Sequence, residues 1–433
     1  MKIIFKLGYL VSIALLFALT NVDITMAADA KATLDTGDTA WMLTSTVIVL
    51  MMTIPGVALF YAGMVRKRNV LATLMQSFAI TCLVTIIWMV VGYSLAFSKG
   101  NSSLIGNLDL AFLNHLTVGA INGTIPDTVF VVFQATFAII TAALITGAVA
   151  ERMKFSALLW FIGLWSVIVY SPVTFWVWGG GFLGAAGVLD FAGGTVVHIN
   201  SGVAALVAAI MVGKRKGYGT DNLAPHNVAL TMIGASLLWV GWFGFNAGSA
   251  VGANGTAGMA MAVTQIAAAA AGLSWMTVEW FHHKKPTLLG IVSGSIGGLV
   301  AITPASGFVD PMGGLIIGLA AGVVCYWGAA ILKPMMGYDD SLDVFAVHGL
   351  GGITGAILTG VFAVQAIGGT AGALEGNAGQ ILIQLQGIVA TILWSGAASA
   401  FILFGIDKVI GLRVDADAEA EGLDINQHGE MLH

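Results

Sequence analysis

The sequence predicts an all-α integral membrane protein, and its composition is the first observation behind that prediction. Of its 433 residues, 58% are hydrophobic and only 9% are charged, and the mean hydropathy is +0.92. A soluble domain carries about 25% charged residues. The second observation is that apolar runs of the roughly 20 residues needed to cross a bilayer recur along the whole chain. Membrane-spanning helices therefore account for the composition, and no stretch remains for a separate soluble domain.

The N-terminal segment resembles a bacterial secretory signal peptide. Lys2 and Lys6 precede a short apolar run, and small residues follow from Ala27 onward. The apolar run is shorter than a bilayer span requires, so a signal peptide is favoured over the alternative of an uncleaved first helix. The predicted organisation is a signal peptide over 1–27, a transmembrane domain over 38–411 and a cytosolic tail over 412–433.

Eleven spans are predicted after the signal peptide. They lie at about 40–64, 70–97, 127–149, 156–178, 195–213, 227–250, 256–280, 287–304, 312–332, 344–366 and 380–409. Beyond the signal peptide, Lys and Arg follow odd-numbered spans, with Lys31 and Lys99 as the exceptions. Under the positive-inside rule, this alternation predicts a multi-pass protein of the inner (plasma) membrane with its N-terminus outside and its C-terminus in the cytosol.

Two segments around His198 and His348 read as copies of each other. Asp190 and Asp340 precede these histidines by eight residues each, and "LFYAG" at the end of span 1 echoes "GFNAG" at the end of span 6. Each half then holds five spans, so the second half enters the membrane from the opposite face. This is the pattern of an inverted five-plus-five repeat, as in many transporters, although chance similarity is an alternative for such short, Gly-rich segments.

The two histidines are the candidate pathway residues. An ionisable residue inside a span usually faces a cavity or a partner, although a single buried His bonded to a carbonyl is the alternative for each alone. At repeat-related positions, however, His198 and His348 are placed to meet near the midplane. Because a neutral imidazole both donates and accepts, such a pair offers hydrogen bonds to a small polar molecule without a fixed charge.

Aromatic residues gather at the outer ends of the spans. Phe133 and Phe137 are four residues apart and share a helix face, Phe245 and Ser249 repeat that spacing, and Trp178 ends span 4 on the same side. A desolvated cation gains roughly 2 kcal/mol from such rings, although an interfacial aromatic belt is the alternative. Carrying a bare cation through an apolar lumen costs on the order of tens of kcal/mol. The substrate should therefore shed a proton and travel neutral, and ammonium is the simplest such cation.

These residues resemble the bacterial Amt type of the ammonium transporter (Amt/Mep/Rh) family. The resemblance runs from about residue 38 to the C-terminal tail, and its most specific segments are "MTIPGVALFYAGMVRKRNV", "DFAGGTVVHINSG", "GWFGFNAGSA", "YDDSLDVFAVHG" and "GLRVDADAEAEGLDINQHGE". It implies a homotrimer in membrane lipid, with one path per subunit for ammonium or methylammonium. No cofactor, metal or nucleic acid is expected.

The resemblance also implies roles for the aromatic residues. Phe133, Trp178 and Ser249 are expected to form an outer recruitment site for NH4+, and Phe137 and Phe245 a stacked gate beneath it. Trp178 and Ser249 favour an Amt protein over a Rhesus-type protein, in which this recruitment site is typically not retained.

Further roles concern charged and titratable groups. His198 and His348 are expected to line a hydrophobic lumen as twin histidines, conducting ammonia with separate transfer of the proton. Asp190 matches a family residue interpreted as structural or electrostatic, and at the start of span 5 its carboxylate can cap a helix. Asp340 is expected to do the same for span 10, and Glu279 is interpreted as a solvated or lipid-facing end charge.

The tail resembles those that bind cytosolic P-II signalling proteins. The alternative is a merely solvated acidic stretch containing Asp415, Asp417, Glu419 and Glu421. An ammonium sensor with little flux is the alternative function, but a sensor would usually append a signalling domain to the last span. An enzyme is not expected, because no metal-ligand spacing or nucleophile motif accompanies the histidines.

Overall fold

The computed structural model describes residues 33–100 and 102–432, so the predicted signal peptide over 1–27 lies outside the described residues. Helices are the main regular structure of the described residues, together with one small hairpin that pairs β1 (Ile121–Asn122) with β2 (Ile125–Pro126) in antiparallel register and an isolated bridge between Met153 and Arg413. The all-helical membrane fold expected from the composition is confirmed.

Ten helices within the described residues are long and apolar enough to cross a membrane. A shorter apolar helix, α8 (Leu288–Ile302), lies between the seventh and the eighth of them. Numbered along the chain with it, the ten are α1 (Thr36–Met64), α2 (Lys67–Phe97), α3 (Asp127–Val149), α4 (Phe155–Ala185), α5 (Gly194–Val212), α6 (Val228–Gly248), α7 (Gly255–His283), α9 (Pro311–Met336), α10 (Phe345–Phe362) and α11 (Gly379–Val409).

The predicted span over 287–304 is the exception. Its helix, α8 (Leu288–Ile302), has 15 residues, which gives about 22 Å against a hydrocarbon layer of roughly 30 Å. Thr287 caps its first turn, and the residues after Ile302, from Thr303 to Phe308, form turns instead of helix. The helix packs tightly between α7 and α9. Ten helices of spanning length are thus found where eleven were predicted.

The two predicted halves meet through equivalent helices. The first helix of each half, α1 and α6, pack against each other, and so do the last two, α5 and α10. Both α5 and α10 begin with a π-helical stretch, Gly194–Ile199 and Phe345–Leu350, and each stretch contains one of the histidines. π-helical turns are uncommon and occur frequently at functional sites.

The ends of the helix bundle differ in chemistry. We call one the aromatic end, defined by Phe133, Trp178 and Ser249, and the other the basic end, defined by Arg66, Arg152 and Arg215. The tail forms two short helices, α12 (Ala416–Glu421) and α13 (Leu423–His428).

The tail packs back onto the basic end. The carboxylate of Asp424 accepts hydrogen bonds from the backbone N–H groups of Leu71 and Ala72 at 3.1 and 2.7 Å, so it caps the start of α2. Glu419 is buried and binds the guanidinium of Arg413 at 2.6 Å. The remaining acids of the predicted acidic stretch, Asp415, Asp417 and Glu421, are exposed.

Candidate functional site

His198 and His348 are brought into direct contact in the middle of the bundle. Their Nδ1 atoms lie 3.2 Å apart, and their ring centroids are 5.3 Å apart with the planes inclined by 20°. Both side chains are buried. A contact between two Nδ1 atoms requires one imidazole to donate and the other to accept, so the pair holds its shared proton in one of two arrangements.

Glycines allow this contact. A Cβ at Gly202 on α5 would collide with the backbone of Gly349 on α10, and a Cβ at Gly352 would lie 3.0 Å from the carbonyl oxygen of Gly194. The two helices therefore cross at backbone contact distance, four residues beyond each histidine. The repeated His-to-Gly spacing in the sequence has this packing role.

The histidines face a narrow, enclosed and largely apolar cavity. The Nε2 atom of His198 has no hydrogen-bond partner among the described residues. The other lining side chains are Met52, Val57, Phe60, Tyr61, Ile140, Leu144, Val197, Leu238, Trp242, Phe245 and Ile296. The hydroxyl of Tyr61 is already bonded to the carbonyl oxygen of Leu144 at 3.0 Å. The imidazoles are thus the main polar groups available to a small molecule in this cavity.

Trp242 is a site residue that sequence reasoning missed. Its indole stacks on the imidazole of His198, with centroids 5.5 Å apart and planes inclined by 22°. Its Nε1 donates to the hydroxyl of Thr303 at 2.8 Å, and that hydroxyl donates to the carbonyl oxygen of Leu299. The available signal was its position three residues before Phe245, which puts both rings on one face of α6.

Phe137 and Phe245 lie on the aromatic side of the histidines. Their centroids are 4.2 Å apart with planes inclined by 27°, and both side chains are buried. Phe245 also lies 6.1 Å from the ring of His198. The stacked ring pair lies next to the cavity, which Phe245 also lines.

The three expected recruitment residues surround this ring pair. Trp178 meets Phe137 edge-to-face at 5.8 Å, and Phe133 meets Phe137 at 5.0 Å. Phe133 also lies beside the end of α6, since a Cβ at Gly248 would be 3.1 Å from its ring. Ser249 follows directly and is partly exposed.

The hydroxyl of Ser249 is oriented by a hydrogen bond at the end of α6. It donates to the carbonyl oxygen of Phe245 at 2.8 Å. Its lone pairs remain as acceptors, while the rings of Phe133 and Trp178 both contact Phe137.

Asp190 anchors this end of the site. Its carboxylate accepts backbone N–H bonds from Gly193, Gly194, Thr195 and Val196, and the hydroxyl of Thr195 also donates to it. These are the free donors at the start of α5. Its carbonyl oxygen accepts the indole N–H of Trp178 at 2.9 Å. Asp190 thus joins the start of the His198 helix to the expected recruitment site.

Asp340 is the counterpart of Asp190 at the basic end. Its carboxylate accepts the N–H of Phe345 at 2.7 Å, at the start of α10. The other oxygen, Oδ1, is buried and has no partner among the described residues. Burial, with the nearby charge of Asp343, raises the pKa of Asp340 from its ordinary value of 3.8 to about 6.

Buried arginines tie the basic end together. The guanidinium of Arg152 donates to the carbonyl oxygens of Gly213 and Asp339 and to the hydroxyl of Ser341. Arg215 forms an ion pair with Asp339 at 2.9 Å. Although burial opposes the shift, the hydrogen bond and charge of Arg215 lower the pKa of Asp339. This network fixes the loop that leads to Asp340.

The interpretation of Glu279 was wrong. This side chain is largely buried at the end of α7, and its carboxylate accepts bonds from the backbone N–H and the hydroxyl of Thr287 at 3.0 and 2.9 Å. Because Thr287 caps α8, Glu279 supports the start of that helix rather than facing solvent or lipid. Over the described part of the chain, no group of three or more His, Cys, Asp or Glu side chains is arranged to hold a metal ion.

Comparisons with known proteins agree with this architecture. The model of the Ammonium Transporter Family matches residues 40–433. An ammonium transporter of Aquifex aeolicus is 50% identical and covers 93% of this chain and 95% of its own, and one of Bacillus subtilis is 49% identical with 92% and 98% covered.

Solved structures are similar over the same region. The crystal structure of Candida albicans Mep2 is 34% identical, has a TM-score of 0.83 and covers 89% of this chain and 88% of its own. A structure described as a sensor Amt protein is 30% identical, with a TM-score of 0.84 and 90% and 98% covered. Given the family match over nearly all described residues and identities near one half, this chain belongs to the ammonium transporter family, a family of multi-pass membrane transporters.

Proposed function

We propose that this protein recruits NH4+ at its aromatic end, deprotonates it and conducts ammonia through the cavity lined by His198 and His348, with separate transfer of the proton. The observation that carries the proposal is the contact between the two imidazoles inside an apolar cavity next to the stacked rings of Phe137 and Phe245. A neutral molecule can cross such a cavity, whereas a bare cation would lose tens of kcal/mol of solvation, on the order expected for an isolated buried charge.

Recruitment rests on three side chains with complementary roles. Phe133 and Trp178 supply ring faces that attract a cation, and Ser249 supplies hydroxyl lone pairs that accept an N–H bond. The indole orientation needed for this is maintained by the bond from Trp178 to the carbonyl oxygen of Asp190. The cation is held where water still reaches it, because Trp178 and Ser249 are both partly exposed.

Deprotonation follows as the substrate passes the rings of Phe137 and Phe245. NH4+ transfers a proton to Nε2 of His198, which is unpartnered in the described part of the chain, and the remaining NH3 enters the cavity and hydrogen-bonds to the imidazoles. The 3.2 Å Nδ1 contact gives the proton a short transfer distance between His198 and His348. An imidazole suits this transfer because it can accept a proton on one ring nitrogen while it donates one from the other.

The same proposal assigns an orientation to the chain. We assign eleven spans, with α8 as a short span held between α7 and α9, and an inverted repeat of α1–α5 and α6–α10. The aromatic end faces outward and the basic end faces the cytosol in an inner (plasma) membrane, as the positive-inside rule favours. The protein works as a homotrimer, and its tail with the basic end forms a docking face for a P-II protein, supported by the exposed acids Asp417 and Glu421.

Electrophysiology on proteoliposomes tests the transport function. An ammonium pulse on a solid-supported membrane should give a transient positive current that saturates with concentration, whereas a potassium pulse of equal ionic strength should not. Protein-free liposomes are the control. Specific ammonium binding without current or ammonia flux in sealed proteoliposomes would favour a sensor over a transporter.

A further inference from the structure

Helix α11 lies outside the two predicted halves, yet one buried face of it is polar. Gln380, Gln384, Thr391, Ser395 and Ser399 follow this face at helical spacing, and all five are buried. Buried polar side chains in a membrane span are costly unless they are hydrogen-bonded. The hydroxyl of Thr391 has no partner among the described residues, and the partners of the other four side chains indicate what the face does.

The partners lie mainly in the first half of the protein. Ser395 donates to the carbonyl oxygen of Asn200 on α5 at 2.8 Å, and Ser399 accepts the indole N–H of Trp165 on α4 at 3.1 Å. Nearer the aromatic end, Gln380 donates to the carbonyl oxygen of Gly187 at 3.0 Å. The polar face thus follows α4, the segment before α5, and α5 itself.

Gln384 makes the most complete set of bonds. Its Oε1 accepts the backbone N–H of Leu189 at 2.7 Å, and its Nε2 donates to the carbonyl oxygen of the same residue at 2.7 Å. The Nε2 atom also donates to the carbonyl oxygen of Ala356 on α10 at 3.2 Å. One amide therefore satisfies both backbone groups of Leu189 and connects them to the helix that bears His348.

Leu189 directly precedes Asp190, and this adjacency connects Gln384 to the recruitment site. The carbonyl oxygen of Asp190 holds the indole N–H of Trp178 at 2.9 Å. The approach of α11 depends on Gly387, because a Cβ there would lie 3.1 Å from the side chain of Val188. The segment that positions Trp178 is consequently packed against α11, where Gln384 holds Leu189 and Gln380 holds Gly187.

We propose that Gln384 is a positioning residue for the outer cation site: by clamping the backbone of Leu189, it sets the Asp190 carbonyl that orients the indole of Trp178. This inference rests on the proposed role of Trp178 in recruitment. Gln384 touches neither the cavity nor the substrate. Its effect is exerted on substrate capture, not on passage through the pair of histidines.

The test substitutes Gln384→Met, which keeps the length and apolar volume of the side chain and removes all four of its hydrogen bonds, including the one that its Oε1 accepts from Nε2 of Gln380 at 3.3 Å. We expect the apparent KM for methylammonium uptake in proteoliposomes to rise about threefold to tenfold, with the maximal rate changed less than about twofold, because a displaced indole would lose part of its contact with the cation. The apparent KM does not depend on the fraction of active protein, so partial misfolding does not imitate the effect. If Gln384→Met does not fold, the shorter amide in Gln384→Asn is measured for the same KM increase.

Ser395→Ala is the matched control, because it removes a bond from the same face of α11 but contacts Asn200, away from Trp178. It should leave the apparent KM unchanged. The double variant Trp178→Leu, Gln384→Met separates positioning from general packing. Its KM should equal that of Trp178→Leu alone, because Gln384 acts through the indole.

The outcomes distinguish the two proposals. If Trp178→Leu itself leaves the apparent KM unchanged, the recruitment role fails and this inference fails with it. If Trp178→Leu raises the KM but the folded Gln384 variants do not, only the positioning role is overturned. Independent, multiplicative effects in the double variant would also overturn it.

Discussion

The indole of Trp242 lies parallel to the imidazole of His198, 5.5 Å from it, and is held there by its bond to the hydroxyl of Thr303. This arrangement limits how far the His198 ring can rotate. Rotation would break the 3.2 Å contact with the Nδ1 of His348. Trp242 therefore preserves the geometry on which the proposed proton transfer depends.

Replacing this indole should reduce the rate rather than substrate capture. Trp242→Leu removes both the stacking and the N–H donor, and we expect the maximal ammonium current to fall about tenfold, the upper range for one aromatic contact. Trp242→Phe keeps a ring against His198 and should retain more of the current. The apparent KM should stay close to that of the parent protein. Equal currents in the Leu and Phe variants would show that stacking on His198 is not needed.

Replacing Trp178 should instead weaken substrate capture and change the maximal rate less. Trp178→Leu removes the cation–π face and should raise the apparent KM for methylammonium about twofold to tenfold, with less effect at saturating substrate. Trp160→Leu is the matched control, since Trp160 lies on the same helix with its side chain 62% exposed. Unchanged uptake at low substrate concentration in the Trp178 variant would argue against the recruitment site.

The sequence predicts the membrane fold well because each spanning helix is recognisable from its own long apolar run, without knowledge of its tertiary contacts. The predicted span at 287–304 runs to Pro304, whereas its helix ends at Ile302, because Thr303 and Pro304 begin a turn. Glu279 was misinterpreted for a different reason. Its position at a helix end suggests solvent, but its partner, Thr287, comes from the next helix and is known only once the chain folds back.

In the candidate site, too, local features were predictable from the sequence and contacts between distant residues were not. The spacing of Phe133 from Phe137 and the repeat around the histidines are local signals, and the structure brings these residues together. Gln384 gives no such signal, because its partners are backbone atoms of Leu189, 195 residues earlier in the chain. Because almost every residue has the same backbone N–H and C=O groups, a side chain that binds them leaves no recognisable residue pattern in a single sequence.

Asp340 should make the stability of the protein depend on pH. A carboxyl pKa raised from 3.8 to about 6 means that ionisation is harder in the folded state. The protonated form therefore favours folding, and this contribution is lost as pH rises from about 4 to about 7. Asp340→Asn keeps a cap for α10 but cannot ionise.

We therefore expect Asp340→Asn to gain thermal stability relative to the parent protein as pH rises across that interval. The shift of about two pKa units corresponds to roughly 3 kcal/mol at most. Melting midpoints of the detergent-solubilised protein at several pH values measure the difference. A difference between variant and parent that does not change with pH would contradict the raised pKa.

The two histidines provide the decisive test of the conduction mechanism. If they relay the proton that NH4+ leaves behind, transport carries charge, and membrane potential contributes about 2.3 kcal/mol per charge per 100 mV. His198→Ala with His348→Ala removes both ends of the 3.2 Å contact and leaves an apolar cavity wall. Ammonia should then cross poorly or without current, while each single substitution should change the rate or the selectivity against other cations.

The measurement is the ammonium-induced current at equal protein density, together with uptake of neutral ammonia followed by an internal pH dye. Size-exclusion chromatography and melting midpoints verify that the double variant is assembled and folded. A full, ammonium-selective current in such a protein would leave the imidazoles with a packing role only, because no shared proton would then be needed for charge to cross the membrane.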